Sequence, residues 1–183
     1  MFDASDYLAN AVKIEVSVRS LKVPFAAKEV QSILYEVLPN KVYEETPFLV
    51  TAAEPRKTFL EKMFLLHEEF HRPDKSKIRS FRMSRHLYDL GRMINAGIDK
   101  VAIADTDIYA TLVRHREWYI RISWLDYETL SASTINFIPP DEVMELYSKD
   151  YESMKGQMIY GEAEEFNQLI LTLSEFLTDW RKR

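Results

Sequence analysis

Three polar side chains, Glu15, Lys62 and Asp89, occupy positions from which they could carry out phosphate chemistry. Glu15 lies on the polar side of an alternating segment, and Lys62 interrupts an otherwise apolar helical pattern. Asp89 has arginines near it at helical spacing. Sites that bind nucleoside phosphates use carboxylates to hold Mg²⁺ and lysine or arginine side chains to bind phosphate oxygens. The residue types therefore allow a phosphate-binding site.

The arginines near Asp89 also allow a simpler interpretation. Together with Asp89 they recur at helical spacing along one face: Arg82, Arg85, Asp89 and Arg92. A ladder of salt bridges on a solvated helix has the same pattern and is common. From the residue types alone, the ladder is the more ordinary of the two interpretations.

A second candidate site is the sequence His-Glu-Glu-Phe-His, which begins at His67 and matches HExxH. On a helix His67 and His71 would lie one turn apart and could bind zinc, with Glu68 as the general base. Pro73 ends the helix soon after the motif, and Glu69 places an extra charge inside it. We therefore expect a helix end with solvated His and Glu side chains rather than a zinc site. A zinc-dependent peptidase remains an alternative function.

The pair Asp105 and Asp107 forms a DxD sequence, a pattern that can hold Mg²⁺ through two carboxylates. Here it precedes a helical pattern, so Asp105 is interpreted as an N-cap and Asp107 as an acid of the first turn. Capping is a sufficient explanation for both residues.

The composition restricts the class of protein. The chain has 183 residues, no cysteine, and 24 lysines and arginines against 29 aspartates and glutamates, for a formal net charge of −5. The missing cysteine excludes a disulfide scaffold, a Cys-type zinc finger and a cysteine nucleophile. A hydrophobic fraction of 46% is typical of a folded protein. The acidic balance argues against a protein that coats DNA.

Several common signatures are absent from the sequence. Its four glycines form neither GxGxxG nor GxxxxGK[ST]. No stretch approaches the roughly 18 consecutive apolar residues of a membrane helix. The start, MFDASDYLAN, is acidic and unlike a secretory signal. We therefore expect a cytoplasmic protein with no membrane partner.

Apolar periodicity predicts strands at the front of the chain and helices after them. Residues 12–18 alternate strictly, which predicts a half-buried strand with Val12, Ile14, Val16 and Val18 facing a core. The segment between Pro24 and Pro39 has helical spacing, and 48–50 suits a short second strand. Five further helices are predicted at 55–71, 82–96, 106–118, 139–154 and 162–180. The expected fold class is α+β with a dominant helical bundle.

Two segments, RKTFLEKMFLLH at 56–67 and RMSRHLYDL at 82–90, together resemble the AbiEii/AbiGii nucleotidyltransferase toxin family of type IV toxin–antitoxin systems. The alternating segment lies where that family has the last strand of its catalytic domain. The tail from 150 to 166 is similar to the family's C-terminal helices. The resemblance spans most of the chain.

The resemblance implies a nucleotidyltransferase fold joined to a helical bundle, in a toxin of a toxin–antitoxin or phage-defence system. It implies Mg²⁺-assisted transfer of a nucleotide from an NTP to a target. By position, Lys62 matches the family's catalytic lysine and Asp89 its late aspartate, and Glu15 is a third acidic residue at the metal. Three more residues are assigned to the nucleotide or its phosphates: Thr58, Arg82 and Arg85.

The first half of the chain departs from the family pattern. The family has a glycine-containing nucleotide loop and a DxD metal pair ahead of this strand, whereas here no glycine precedes Gly91 and the DxD follows Asp89. We therefore expect the C-terminal part of such a protein, truncated and inactive alone. Residues 1–52 would be a remnant of the nucleotidyltransferase sheet and 53–183 the helical bundle. The expected partners are an antitoxin or a complementary N-terminal fragment, with RNA as an acceptor.

A third hypothesis is a non-catalytic helical module that binds another protein. Its support is a run of aromatic residues: Trp118, Tyr119, Trp124 and Tyr127. Trp and Tyr are favoured at interfaces, although packing in the core is their commoner role. An exposed apolar face beside residues 12–18 would favour this hypothesis.

Overall fold

A computed structural model describes residues 14, 16, 21, 24–37 and 46–182 of the chain. Within these ranges there are seven α-helices and one two-stranded antiparallel sheet, joined by short 3-10 and π-helical turns. This confirms the α+β fold class with a mainly helical body. The proposed boundary between residues 52 and 53 stays a prediction.

The sheet is a pair of strands, β1 (Phe25–Val30) and β2 (Phe48–Ala53), with the short helix α1 (Ile33–Val37) between them in the chain. β2 confirms the strand predicted at 48–50. The helix predicted between Pro24 and Pro39 is wrong over β1, because pairing with a distant strand is invisible to local spacing. Its later part is helical, and Ser32 Oγ caps it by accepting the Tyr35 N–H at 3.2 Å.

The prediction that Ile14 and Val16 face a core is wrong. Neither residue belongs to a strand, and their side chains are 84% and 90% exposed. Alternation shows which side chains could share a face, but it does not supply a surface that covers them. The rest of the predicted strand, including Val12, Glu15 and Val18, lies outside the described residues.

The helical body consists of six further helices. They are α2 (Pro55–Phe70), α3 (Ser84–Asn95), α4 (Ile98–Ala104), α5 (Thr106–His115), α6 (Asp141–Met158) and α7 (Phe166–Arg181). All five predicted helices are confirmed, with α5 ending earlier because the chain enters a π-helical turn at Arg116–Ile120. α4 was not predicted; it follows Gly97, whose φ of +73° ends the preceding helix and redirects the chain.

α2 is the central helix and packs against α3, α4 and α5. Its apolar positions are fully or almost fully buried: Phe59, Leu60, Met63, Phe64, Leu66 and Phe70. α7 packs on α3, where a Cβ on Gly91 would stand 2.4 Å from Leu169 Cδ1. This close approach explains the glycine at that position. No helix in the described part of the chain is long and apolar enough to span a membrane.

Asp150 on α6 holds the N-terminus of α3. Its carboxylate accepts the backbone N–H of Arg82 at 2.6 Å, the backbone N–H of Ser84 at 2.9 Å and the Ser84 hydroxyl at 2.5 Å. Arg82 has a φ of +58°, a left-handed conformation that non-glycine residues seldom adopt. The carboxylate therefore fixes both the turn and the first donors of the helix that carries Asp89.

Candidate functional site

Lys62 and Asp89 meet across the packed helices α2 and α3. Lys62 Nζ lies 2.6 Å from Asp89 Oδ2, and the two side chains are 19% and 40% exposed. Among the described residues, Asp89 forms this ion pair and no ion pair with an arginine of its own helix. The interpretation of α3 as a salt-bridge ladder around Asp89 is therefore wrong. The helical face with Asp89 is turned towards Lys62.

His86 is a third member of this cluster, and the sequence reasoning gave it no role. Its Nδ1 lies 3.3 Å from Lys62 Nζ. Burial, together with the nearby charges of Lys62 and Arg85, lowers the pKa of His86 from 6.5 to about 4. The ring is therefore neutral at neutral pH and accepts a hydrogen bond from the ammonium. The spacing of three residues between His86 and Asp89 places both on one helix face.

Lys62 is thus oriented by two neighbours. An ammonium group has three N–H donors, and in the described part of the chain two of them are used, by Asp89 and His86. The third donor can bind an anion such as a phosphate oxygen. Because Asp89 is open to solvent, a ligand can approach the pair from outside without opening the core.

The other assigned residues lie nearby in the chain. Thr58 stands one helical turn before Lys62 on α2, and Arg85 stands one turn before Asp89 on α3. Arg85 forms no ion pair with any described residue. Arg82 immediately precedes α3 and is anchored by its backbone to Asp150. Their contacts with a nucleotide stay predictions, and Glu15 lies outside the described residues.

The described residues fit a phosphate better than they fit a magnesium ion. Mg²⁺ in nucleotide sites is bound by one or two carboxylates together with phosphates and water. Asp89 supplies one carboxylate beside Lys62. Within the described ranges, no cluster of three or more His, Cys, Asp or Glu side chains could hold a metal. The described residues could thus contact a phosphate but do not by themselves form a complete metal site.

The HExxH segment stabilises the fold. His67 Nδ1 accepts the Asn136 backbone N–H at 2.9 Å, and Nε2 lies 2.9 Å from Thr129 Oγ1. Glu68 accepts two hydrogen bonds from the Arg116 guanidinium, both at 2.5 Å. Because both ring nitrogens of His67 and the carboxylate of Glu68 are engaged, this geometry leaves no ligand set for zinc.

The expectation that this motif is solvated is also wrong. His67 is 0% exposed, and Glu68 and Glu69 are 4% and 3% exposed. Two arginines that follow the helix compensate for the burial of Glu69, since Arg72 and Arg79 both donate to its carboxylate. These hydrogen bonds hold the pKa of Glu69 below its usual value despite burial. Buried carboxylates are stable when paired in this way.

His67 should make the stability of the fold pH-dependent. Burial, with the nearby charge of His71, lowers its pKa from 6.5 to about 3. The unfolded chain therefore binds the proton more readily, and stability falls as pH drops from about 6.5 towards 3, by about 1.4 kcal/mol per pH unit. Urea unfolding at pH 6.5 and 5 should show a loss about 2 kcal/mol larger in the wild type than in His67→Gln. Equal losses would contradict this assignment.

Asp105 is confirmed as a helix cap. Its carboxylate accepts the Ile108 N–H at 3.1 Å and is paired with Arg56 Nη1 at 2.5 Å. The first-turn position of Asp107 is also confirmed.

Three of the four singled-out aromatic residues are exposed. The exposed fractions of the side chains are 69%, 62% and 39% for Trp118, Tyr119 and Trp124. The interpretation that they pack in the core is therefore wrong. The Arg72 guanidinium lies 4.6 Å above the Trp124 ring. Tyr127 is partly buried, and its hydroxyl accepts the Ile122 N–H at 2.9 Å.

A lysine held between a carboxylate and a neutral imidazole, on adjacent helices of an α+β protein, is an arrangement that can bind phosphate. The family model described as nucleotidyl transferase AbiEii toxin, type IV TA system, matches residues 1–176. The chain therefore belongs to the AbiEii nucleotidyltransferase toxin family. Searches of curated proteins and of solved structures gave no significant match. Membership in this family implies the use of a nucleotide and a divalent metal, and an antitoxin as a partner.

Proposed function

We propose that Lys62, oriented by Asp89, binds the triphosphate of an NTP for nucleotide transfer to an RNA acceptor. The observation that carries this proposal is the 2.6 Å pair between Lys62 Nζ and Asp89 Oδ2, with His86 beside it, in a member of a nucleotidyltransferase toxin family. NTP and RNA are available in the cytoplasm, which is where we expect the protein to act.

In this proposal Lys62 stabilises charge on the phosphate oxygens as the bond to the leaving diphosphate breaks. His86 and Asp89 orient its ammonium, and Arg85 adds positive charge from the next turn of α3. Mg²⁺ bound with the NTP would neutralise phosphate charge, with Asp89 and Glu15 as its expected carboxylates. Thr58 and Arg82 are assigned to the nucleotide only because they lie close to Lys62 and Asp89 in the chain.

We further propose that the chain transfers no nucleotide by itself. Residues 1–90 contain no glycine for a nucleotide loop, and the DxD sequence at Asp105 caps α5. Phosphoryl transfer with two metal ions needs carboxylates that bridge both ions, and the described residues supply one. A complementary nucleotidyltransferase fragment would have to provide the remaining parts.

Incubation of the purified chain with labelled NTPs, Mg²⁺ and total RNA tests this directly. We expect no labelled RNA from the chain alone. Robust labelling that Lys62→Ala abolishes would contradict inactivity of the isolated chain while supporting the site. Labelling unaffected by Lys62→Ala would contradict the site itself.

A second candidate function is a protein-binding module, and the exposed apolar side chains of the sheet and α1 favour it. Those at least half exposed are Phe25, Ile33, Leu34, Val37, Phe48 and Leu49. Ile14 and Val16 are exposed as well. A two-stranded sheet is marginal in water unless something packs on it. An antitoxin or a complementary fragment is the expected partner, and both functions can coexist in one chain.

A further inference from the structure

A cavity of about 240 Å³ lies between α4 and α7, away from the Lys62 cluster. Asp99 and Ile103 line it from α4, and Glu175, Phe176, Asp179 and Trp180 line it from α7. The proposed nucleotide site does not use any of these residues. The cavity combines carboxylates with two aromatic rings.

Asp99 is the distinctive residue of this cavity. It is 7% exposed, and its Oδ1 is buried without a hydrogen-bond partner among the described residues. A buried carboxylate oxygen that accepts no hydrogen bond destabilises the fold. A positively charged ligand that donates to Oδ1 would remove this penalty.

The charge of the lining favours a cation. The cavity lining contains one ammonium group, that of Lys100, and three carboxylates: Asp99, Glu175 and Asp179. Asp179 is partly neutralised at the surface by Lys182 at 3.1 Å, whereas Glu175 has no ion pair with a described residue. The cavity therefore keeps an excess of negative charge beside the unpaired oxygen.

The aromatic walls indicate which kind of cation would fit. No cluster of three or more ligating side chains in the described ranges could hold a metal ion. Phe176 and Trp180 instead line the cavity with aromatic rings, and aromatic rings attract organic cations. An alkylammonium group can pack its carbon chain on these rings while its N–H groups reach Asp99.

We propose that this cavity binds an organic ammonium cation, with Asp99 as the acceptor of its hydrogen bonds. Two sources share this chemistry: a free polyamine and a lysine side chain of a partner protein. Neutral molecules of the same shape would not bind, because they bring no charge to the buried carboxylate. The site is independent of the proposed nucleotide chemistry.

Calorimetric titration of the full chain with putrescine, spermidine and Nα-acetyl-lysine amide tests the proposal, at constant ionic strength. We expect saturable binding of at least one of them and none of 1-butanol. Preference for the polyamines would assign a free ligand, and preference for the lysine amide would assign a partner side chain. Absence of binding by all three amines at millimolar concentration would overturn the proposal.

Asp99→Asn, which keeps the shape and removes the charge, should weaken amine binding at least tenfold. Asp107→Asn, at an exposed acid on α5, is the matched control and should leave it unchanged. The amine should raise the melting temperature of the wild type and of the control, but not that of Asp99→Asn. If Asp99→Asn fails to fold, Glu175→Gln on the exposed rim should still weaken binding severalfold. Unaltered affinity in these cavity variants would refute the site.

Discussion

Replacement of Asp150 by alanine should lower the free energy of unfolding by about 4 kcal/mol, because each buried donor that it leaves unsatisfied costs roughly 1–3 kcal/mol. The carboxylate accepts from the backbone N–H groups of Arg82 and Ser84 and from the Ser84 hydroxyl. At 8% exposure, few of these donors could be satisfied by water after the change. Such a loss is a large fraction of the stability of an ordinary domain.

Urea unfolding monitored by circular dichroism measures this effect. Asp150→Asn should be intermediate, since one amide oxygen can still accept but the charge is gone. Glu145→Ala is the matched control on the same helix, because Glu145 is 81% exposed and pairs with Lys149 at the surface. It should unfold like the wild type. A loss below about 1 kcal/mol for Asp150→Ala would show that the α3 terminus does not depend on this carboxylate.

The anchor at Asp150 also connects stability with the proposed function. α3 carries His86 and Asp89, and both contact Lys62 on α2. If the first turn of α3 loosens, the spacing between the two helices is no longer fixed. Asp150→Asn should therefore weaken nucleotide binding even under conditions where the variant is folded.

Local patterns in the sequence were sufficient to predict the five long helices α2, α3, α5, α6 and α7. The buried face of α2 follows directly from the spacing of its apolar residues, and Pro55 marks its start. β1 was missed because the helical spacing of Val30 with residues of α1 was extended back over the whole segment, whereas pairing with β2 stabilises the extended form. The α4 helix was missed because seven residues give too short a periodic pattern.

Side-chain environments were harder to predict. The HExxH segment looked like a solvated helix end, yet its polar groups are buried against Arg116, Thr129 and Asn136. These partners are 48 or more residues away in the chain. Local sequence contains no information about such partners, so burial of a charged residue cannot be judged from its neighbours alone.

The candidate site was predictable in part. The resemblance to the family selected Lys62 and Asp89, and the structure brings these two side chains together. The contribution of His86 and Asp150 depends on how α2, α3 and α6 pack, which no spacing rule gives. The spacing of Asp89 was also compatible with a salt-bridge ladder to the arginines of α3. Only the packing of α3 on α2 distinguishes this ladder from the pair with Lys62.

Loss of nucleotide binding in Lys62→Met is the second large effect we expect. The substitution keeps an aliphatic side chain over the helix and removes the ammonium. A charge-assisted hydrogen bond to phosphate contributes roughly 1.5–3 kcal/mol, which corresponds to about a 10- to 100-fold change in affinity. Lys149→Met, at a lysine 71% exposed on α6, is the matched control.

Calorimetric titration of the folded chain with Mg²⁺ and each NTP in turn tests the proposed triphosphate site most directly. We expect the wild type and Lys149→Met to bind at least one NTP with the same affinity. Lys62→Met should bind that NTP at least tenfold more weakly. Equal affinity of the wild type and Lys62→Met, or no binding of any NTP by the wild type, would contradict a triphosphate site at Lys62 and Asp89.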